Sequence, residues 1–325
     1  MPTYVVTGCA GFIGWKTSER LLQQGATVVG IDNLNAAYDP RLKLWRLHRL
    51  QAFPSFQFIR ADITDRAALE SLLERVHPDA ILNLAARAGV RQSLQDPWDY
   101  YATNLTGTLN LLELCRRLQI PKFVLASTSS VYGAGTPPFR EEDASDRPLS
   151  PYAASKRAAE LLCATYHTLY GLDITVLRYF TVYGPAGRPD MSLYIFTERL
   201  LRGEPLEIFG DGTQERDFTY VDDIAEGTIR ALRPLGYAII NLGNSHRVRL
   251  VDAIAFLGEL LGRRPQLVFR PAHPADVPAT EADISRAQAL LGWTPQTPFA
   301  EGVRYLVEWH LRHRPELEHI AVADL

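Results

Sequence analysis

Short apolar strands alternating with helical stretches over the first 178 residues predict an α/β protein with a doubly wound parallel sheet. Two further observations shape that reading. Gly8, Gly11 and Gly14 directly follow the first strand and open the first helix, which is the Rossmann-type arrangement. After Arg178 the chain becomes punctuated by Gly, Pro and Arg, which predicts a smaller C-terminal α/β domain. The expected division is residues 1–178 and 179–325, with the segment 218–245 folding back onto the first domain.

Tyr4-Val5-Val6 centres the first strand, Thr3–Thr7, and the glycines lead into a helix over 12–24. Thr27–Ile31 is the second strand and stops just before Asp32. Phe56–Arg60, Ala80–Asn83, Lys122–Ser127 and Asp173–Arg178 are the strands that follow. Helical patterns at 65–76, 97–118 and 151–170 lie between them. Beyond Arg178, helices are expected over 191–202, Leu250–Leu261 and Ile284–Leu291, and another starts at Tyr220-Val221-Asp222-Asp223 and runs to Leu232. Pro271–Pro278 is a proline-rich connection.

The 325 residues are 46% hydrophobic and 22% charged, ordinary for a globular protein. A net charge of -3 gives no global attraction to nucleic acid, so none is expected as a partner. No apolar run approaches the roughly 18 residues of a membrane span, and no signal peptide is apparent, so no membrane is expected. Cys9, Cys115 and Cys163 form neither a CxxC nor a zinc-ligand spacing, which points to a reduced, cytoplasmic protein without a metal. Lysine occurs only at 16, 43, 122 and 156 in a chain that otherwise uses arginine. A lysine kept at 156 hints that a compact, tunable ammonium matters there.

The glycine triplet permits a tight turn and close approach of the backbone to a pyrophosphate. Asp32 closes the second strand about twenty residues on, where a carboxylate binds the adenosine ribose and repels a 2′-phosphate. NAD is therefore expected rather than NADP. Asp62 and Ile63 would face the adenine, and the small Ala85 and Ala86 leave room for a cofactor against the sheet. Tyr152 and Lys156 stand four residues apart on one helix face, so the ammonium should lower the phenol's pKa. The hydroxyl cluster Ser127-Thr128-Ser129-Ser130 lies upstream. Together these residue types suit removal of a proton from an alcohol while a nicotinamide takes the hydride.

The glycine triplet, Asn83-Leu84-Ala85-Ala86, Ser127-Thr128-Ser129-Ser130-Val131-Tyr132-Gly133 and Tyr152-x-x-x-Lys156 resemble the extended short-chain dehydrogenase/reductases that act on nucleotide sugars. A narrower resemblance, to the UDP-glucuronate 4-epimerases, rests on Ala88-Gly89-Val90-Arg91, Tyr179–Pro185, Gly187–Met191 and Arg216–Asp223. The resemblance implies an NAD-dependent homodimeric isomerase acting on a UDP-sugar. It makes Tyr152 the base at the sugar 4-hydroxyl, Lys156 its partner and a ribose ligand, and Thr128 a sharer of that hydroxyl's hydrogen bond. It also places Phe12, Ile13, Asn33, Leu84, Asn104 and Tyr179 at the cofactor. The apolar stripes Leu105-Leu109-Leu112 and Leu161-Leu162-Thr165-Leu169 pack on the sheet, and the resemblance assigns part of each to a dimer contact.

Related dehydratases carry Asp-Glu after the Thr128 position, and decarboxylases a nearby glutamate; here Ser129 and Ser130 cannot titrate near neutral pH. Simple epimerisation is favoured. A 4-keto uronate loses carbon dioxide readily, so its carboxylate must be held still. Ser129, Ser130 and Thr181 are the candidate donors and Arg188 the candidate guanidinium. Threonine at 181, where UDP-glucose epimerases typically have asparagine, tilts the expectation toward an acidic sugar. By resemblance Arg216, expected in a loop before a strand, holds the diphosphate and Asp276 the uridine ribose; Arg91 is either a further contact or a surface arginine. The alternatives are UDP-glucose 4-epimerase, UDP-glucuronate decarboxylase, a dehydratase and a catalytically silent NAD-binding regulator.

Overall fold

The computed structural model describes residues 1–273, 275–317, 320 and 322. Pro274 of the proline-rich connection, and 318, 319, 321 and 323–325 of the expected second domain, lie outside them. Strands β1 (Thr3–Thr7), β2 (Thr27–Asp32), β3 (Phe56–Arg60), β4 (Ala80–Asn83), β5 (Lys122–Thr128) and β6 (Asp173–Tyr179) come in the expected order. Beyond them lie β7 (Thr181–Tyr183), β8 (Leu206–Phe209), β9 (Glu215–Tyr220), β10 (Tyr237–Leu242), β11 (Arg247–Arg249) and β12 (Leu267–Arg270). The principal sheet is all parallel, with order β3-β2-β1-β4-β5-β6-β10. Strand order reverses between β1 and β4, and the crevice at their carboxyl ends is where such sheets take ligands.

Both faces of that sheet are covered, which is why its strands read as continuous apolar runs. On β1, Val5 and Val6 enter opposite cores; on β5, Phe123 and Leu125 enter one and Val124 and Ala126 the other. A third core gathers Phe196, Ile208, Phe218, Ile254 and Val303 beside the small sheets β11-β9-β7 and β12-β8.

Helix Pro151–Tyr170 begins sharply. Ser150 Oγ accepts from the Ala153 amide at 3.2 Å, Pro151 occupies the first turn, and Gly171 ends the helix at φ 67°. The expected helix over 97–118 is instead Pro97–Tyr100, a π-helical stretch Tyr101–Gly107 and Thr108–Leu118. Within the π stretch the Asn104 amide holds the Arg87 backbone in both directions at 2.9 Å and donates to Ser155 Oγ at 2.9 Å. Interruptions of this type gather at functional sites. Helices Pro40–Leu50 and Phe299–Leu317, and strands β7, β8, β10, β11 and β12, carried no sequence expectation of their own, whereas β9 is the strand expected just after Arg216.

Arg216 lies within β9 rather than in a loop before it. Its neighbour Asp217 is buried and gathers three segments. Its carboxylate accepts from the amides of Asn244 (2.6 Å), Ser245 (3.0 Å) and Ala282 (3.0 Å), and from Thr219 Oγ1 (3.1 Å). Burial pushes the carboxyl up to about 6 against those donors. A neutral side-chain amide in its place could satisfy only one side of that donor set. Asp217→Asn is expected to lower stability by about 1–3 kcal/mol, read from urea unfolding, because either the Ser245 and buried Ala282 amides or the Asn244 amide and the Thr219 hydroxyl lose their acceptor.

Candidate active site

One cavity of about 500 Å³ runs from the β1 and β4 ends toward the small sheets. Its dinucleotide-like half is built by backbone proximity. Gly8 sits at φ 69°, and a Cβ there would meet the Ala85 amide nitrogen at 2.7 Å. A Cβ on Gly14 would fall 2.0 Å from the Gly8 carbonyl oxygen. Glycine is therefore required at both positions. Helix Phe12–Gln23 starts at Gly11 with no side chain capping it, so its first amides stay available to an anion. Asp32 accepts from the Ala10 amide (3.1 Å) and the Leu34 amide (2.8 Å), which fixes the carboxylate at the end of β2. Asn33 donates to Asp62 at 2.6 Å. Burial raises the Asp62 carboxyl, but the Thr64 backbone, Asn33 and the Thr64 hydroxyl bring it below its ordinary value. Phe12, Ile13, Ile63, Leu84, Ala85, Ala86 and Tyr179 line the same wall. Asn104 does not, since its amide is held by Arg87 and Ser155. This cradle fits a dinucleotide.

Thr128, Tyr152 and Lys156 also line the cavity. Burial acts on the charge of the last two in opposite directions. Lys156 Nζ donates to the Ala126 carbonyl at 2.8 Å, and burial lowers the ammonium to about 8 despite Glu160. Burial raises the Tyr152 phenol above its ordinary value, opposed by a hydrogen bond with Thr128 and by the charge of Arg188. Thr128 and Arg188 thus work against the burial of the phenol. Thr128 Oγ1 accepts from the Ser130 amide at 3.1 Å and donates to Ser130 Oγ at 3.2 Å. The Tyr100 ring meets Tyr152 edge-on at 6.1 Å.

Ser129, Ser130, Thr181 and Arg188 line the other half. Arg188 Nε donates to Asp190 Oδ1 at 2.9 Å, and Nη2 donates to Asp190 Oδ2 and to the Ala88 carbonyl at 3.4 Å. Burial would lower this guanidinium, but Asp190 outweighs it and holds the group charged. Arg91 Nη2 donates to Asp276 at 2.6 Å across the cavity mouth, and its guanidinium lies 4.0 Å from the Phe209 ring centroid. Arg91 is therefore no plain surface arginine. Arg216 stands outside the cavity wall, donating to the Glu215 carbonyl at 2.8 Å, though the charges of Asp276 and Arg91 act on it.

Sequence reasoning missed Tyr38, Lys43 and Asp190, which line the cavity too. Lys43 donates to Asn35 Oδ1 at 2.9 Å; burial lowers its pKa, and Asp32 opposes the shift. An inward lysine in a chain that otherwise prefers arginine was the available signal.

The chain is 54% identical over 310 residues to a UDP-glucuronate 4-epimerase of Thermodesulfobacterium geofontis, covering 95% of this chain and 96% of that protein. A Bacillus cereus UDP-glucuronic acid 4-epimerase solved with UDP-glucuronic acid and NAD superposes with a TM-score of 0.91 at 38% identity, covering 95% of this chain and 99% of that one. A UDP-glucose 4-epimerase of Thermotoga maritima solved with UDP-glucose gives 0.89 at 32% identity, covering 96% and 99%. Residues 4–243 match the sequence profile of the NAD dependent epimerase/dehydratase family, and the chain belongs to that family.

Proposed function

We propose that this protein is an NAD-dependent isomerase that inverts C4 of a UDP-hexuronic acid, interconverting UDP-glucuronate and UDP-galacturonate through a 4-keto sugar. The carrying observation is that Ser129, Ser130, Thr181 and Arg188 share one cavity with Thr128, Tyr152 and Lys156. A set of carboxylate donors thus stands beside a set of alcohol-handling groups. The relatives that bind or act on UDP-glucuronate support the same reading.

Gly8, Gly11 and Gly14, the helix start behind them and Asp32 hold the cofactor. Bound there, NAD would supply the acceptor and donor for the C4 hydride and a positive charge in the crevice. Tyr152 Oη takes the proton of the 4-hydroxyl and gives it back, while Thr128 Oγ1 shares the hydrogen bond. Lys156 Nζ, anchored on the Ala126 carbonyl, presents its other protons to the cofactor ribose. The ketone stands β to the carboxylate, so carbon dioxide leaves when that bond aligns with the carbonyl π system. Ser129, Ser130, Thr181 and Arg188 hold the carboxylate out of that alignment. Arg91 and Asp276, paired on the cavity wall, and Arg216, near enough to feel their charge, are assigned to the nucleoside diphosphate.

Residues 1–178 form the cofactor domain in this reading and 179–325 the sugar-nucleotide domain. The 218–245 segment joins the first through β10 on β6 and through Arg20 pairing with Asp222 and Glu226. A homodimer is proposed through exposed Tyr101, Leu109, Leu161 and Leu169, with Trp98 82% exposed beside them. A cytoplasmic setting agrees with three free, buried cysteines, and no described helix is long and apolar enough to cross a membrane.

The pairing of Arg188 with Asp190 favours the second reading, a neutral sugar, because it already neutralises the guanidinium. NMR analysis of products from UDP-glucuronate and, separately, UDP-glucose decides between them. UDP-galacturonate from the first substrate is expected; turnover of UDP-glucose alone would overturn the acidic-sugar reading. Tyr152→Phe is expected to retain NAD while kcat falls about 10²- to 10⁴-fold; unchanged turnover would exclude the phenol as base. Arg188→Ala is expected to release more decarboxylated 4-keto product, measured as carbon dioxide per turnover. An unchanged ratio would remove Arg188 from carboxylate control.

A further inference from the structure

Helix Pro40–Leu50 buries Leu42, Lys43, Arg46, Leu47 and Leu50. Arg46 is 0% exposed, and its donors all reach uncharged oxygens. Nη1 donates to the Ala10 carbonyl at 3.1 Å and to Tyr38 Oη at 2.6 Å. Nε and Nη2 donate to the Ala186 carbonyl at 3.1 and 2.7 Å, and Nη2 also to the Gly187 carbonyl at 2.9 Å. A guanidinium has five N–H groups in a rigid planar fork, and here each of them has an oxygen. Burying a cation without a carboxylate is costly, and an apolar residue of similar volume would escape that cost. General packing therefore does not explain an arginine at this position.

Its partners do. Ala10 lies in the glycine loop, and its amide donates to Asp32 at 3.1 Å. Ala186 adopts φ 53°, unusual for a residue with a Cβ, and Gly187 directly precedes Arg188. One rigid fork thus ties the loop proposed to face the cofactor to the loop that delivers the guanidinium proposed to face the sugar. We propose that Arg46 is a positioning residue that sets the spacing between these two loops, so that Arg188 is correctly placed against the sugar carboxylate when the dinucleotide is in its cradle. This rests on the reading of the site given above. A lysine at 46 would keep the charge but reach only one loop at a time.

Arg46→Lys should be compared with the unaltered full chain by amide hydrogen exchange and by product analysis with NAD present. Exchange is expected to rise in 184–191 and 8–14 while the amides of β5 and β6 stay as protected as before. With UDP-glucuronate, kcat is expected to fall about tenfold to a hundredfold, as small misplacements of reacting groups do. The released carbon dioxide per turnover should rise, and KM should change little. A slower enzyme with unchanged loop exchange and an unchanged carbon dioxide ratio would overturn the proposal, and so would a variant indistinguishable from the parent. If Arg46→Lys does not fold, Arg46→Gln, whose amide can serve one loop, carries the same comparison. Failure of both to fold would overturn the proposal by making Arg46 a general structural residue. A parent chain inert toward UDP-glucuronate would sink the functional reading instead, and the exchange comparison would still judge the loop coupling.

Discussion

The site depends on one steric constraint, the contact of bare backbone at the reversal point of the sheet. The Gly8 turn lies against the Leu84–Ala85 backbone, and Gly14 lies under the Gly8 carbonyl. Adding a methyl at either place would require backbone atoms to separate by more than any side-chain rotation could supply. Because the turn is this tight, helix Phe12–Gln23 points its uncapped start at the crevice, and the β4 end stays close enough to form the opposite wall. Every later feature assumes that geometry: the hydroxyls at the end of β5, the phenol on helix Pro151–Tyr170 and the donors of β7 face a crevice whose width is set by glycine.

Within it, burial controls protonation. Burial favours the neutral form of both phenol and ammonium, so it raises the first pKa and lowers the second. Moving Lys156 from 10.5 to about 8 corresponds to about 3 kcal/mol of disfavoured charge. Glu160, one turn further along, opposes this but does not win. Its carboxylate is already shared by Ser127 (2.5 Å), Arg157 (3.0 Å) and the buried Arg178 (2.8 and 3.0 Å). An anion so fully solvated by other donors has little field left for its neighbour. The protein alone therefore keeps the phenol protonated and leaves the lysine close to its titration point near neutral pH, a state that added charge in the crevice would change.

The first six strands were legible to within a residue because a parallel sheet covered on both faces writes itself as apolar runs. The cofactor half was legible because glycines and a strand-end aspartate are constrained by local geometry. Helix Pro40–Leu50 was not, since its inward face includes Lys43 and Arg46, which break the apolar stripe that marks a helix. The π-helical turns at Tyr101–Gly107 left no mark in the apolar spacing, because they serve the Asn104 hold on Arg87, a contact between residues 17 apart. Leu112 was read in one stripe with Leu109, yet Leu112 is buried and Leu109 is 37% exposed. The protonation of Lys156 was not legible for a related reason: spacing reports which face a residue occupies, while burial acts on its charge.

The Arg188–Asp190 pair shows how such a site can hold a carboxylate without relying on a guanidinium fork. Nε and both Nη2 donors are engaged by Asp190 and the Ala88 carbonyl, which leaves the Nη1 edge as the free donor edge among the described residues. A sugar carboxylate would then meet arginine along one edge and not in the two-pronged geometry that fixes a plane. Resistance to rotation about the C5–C6 bond must come from several donors at different angles. Ser129 and Ser130 follow β5, and Thr181 opens β7 across the cavity, so their hydroxyls approach from separate directions. On this reading Arg188 supplies attraction and one direction of restraint, the hydroxyls supply the others, and removing any of them lets carbon dioxide leave the β-keto acid more readily.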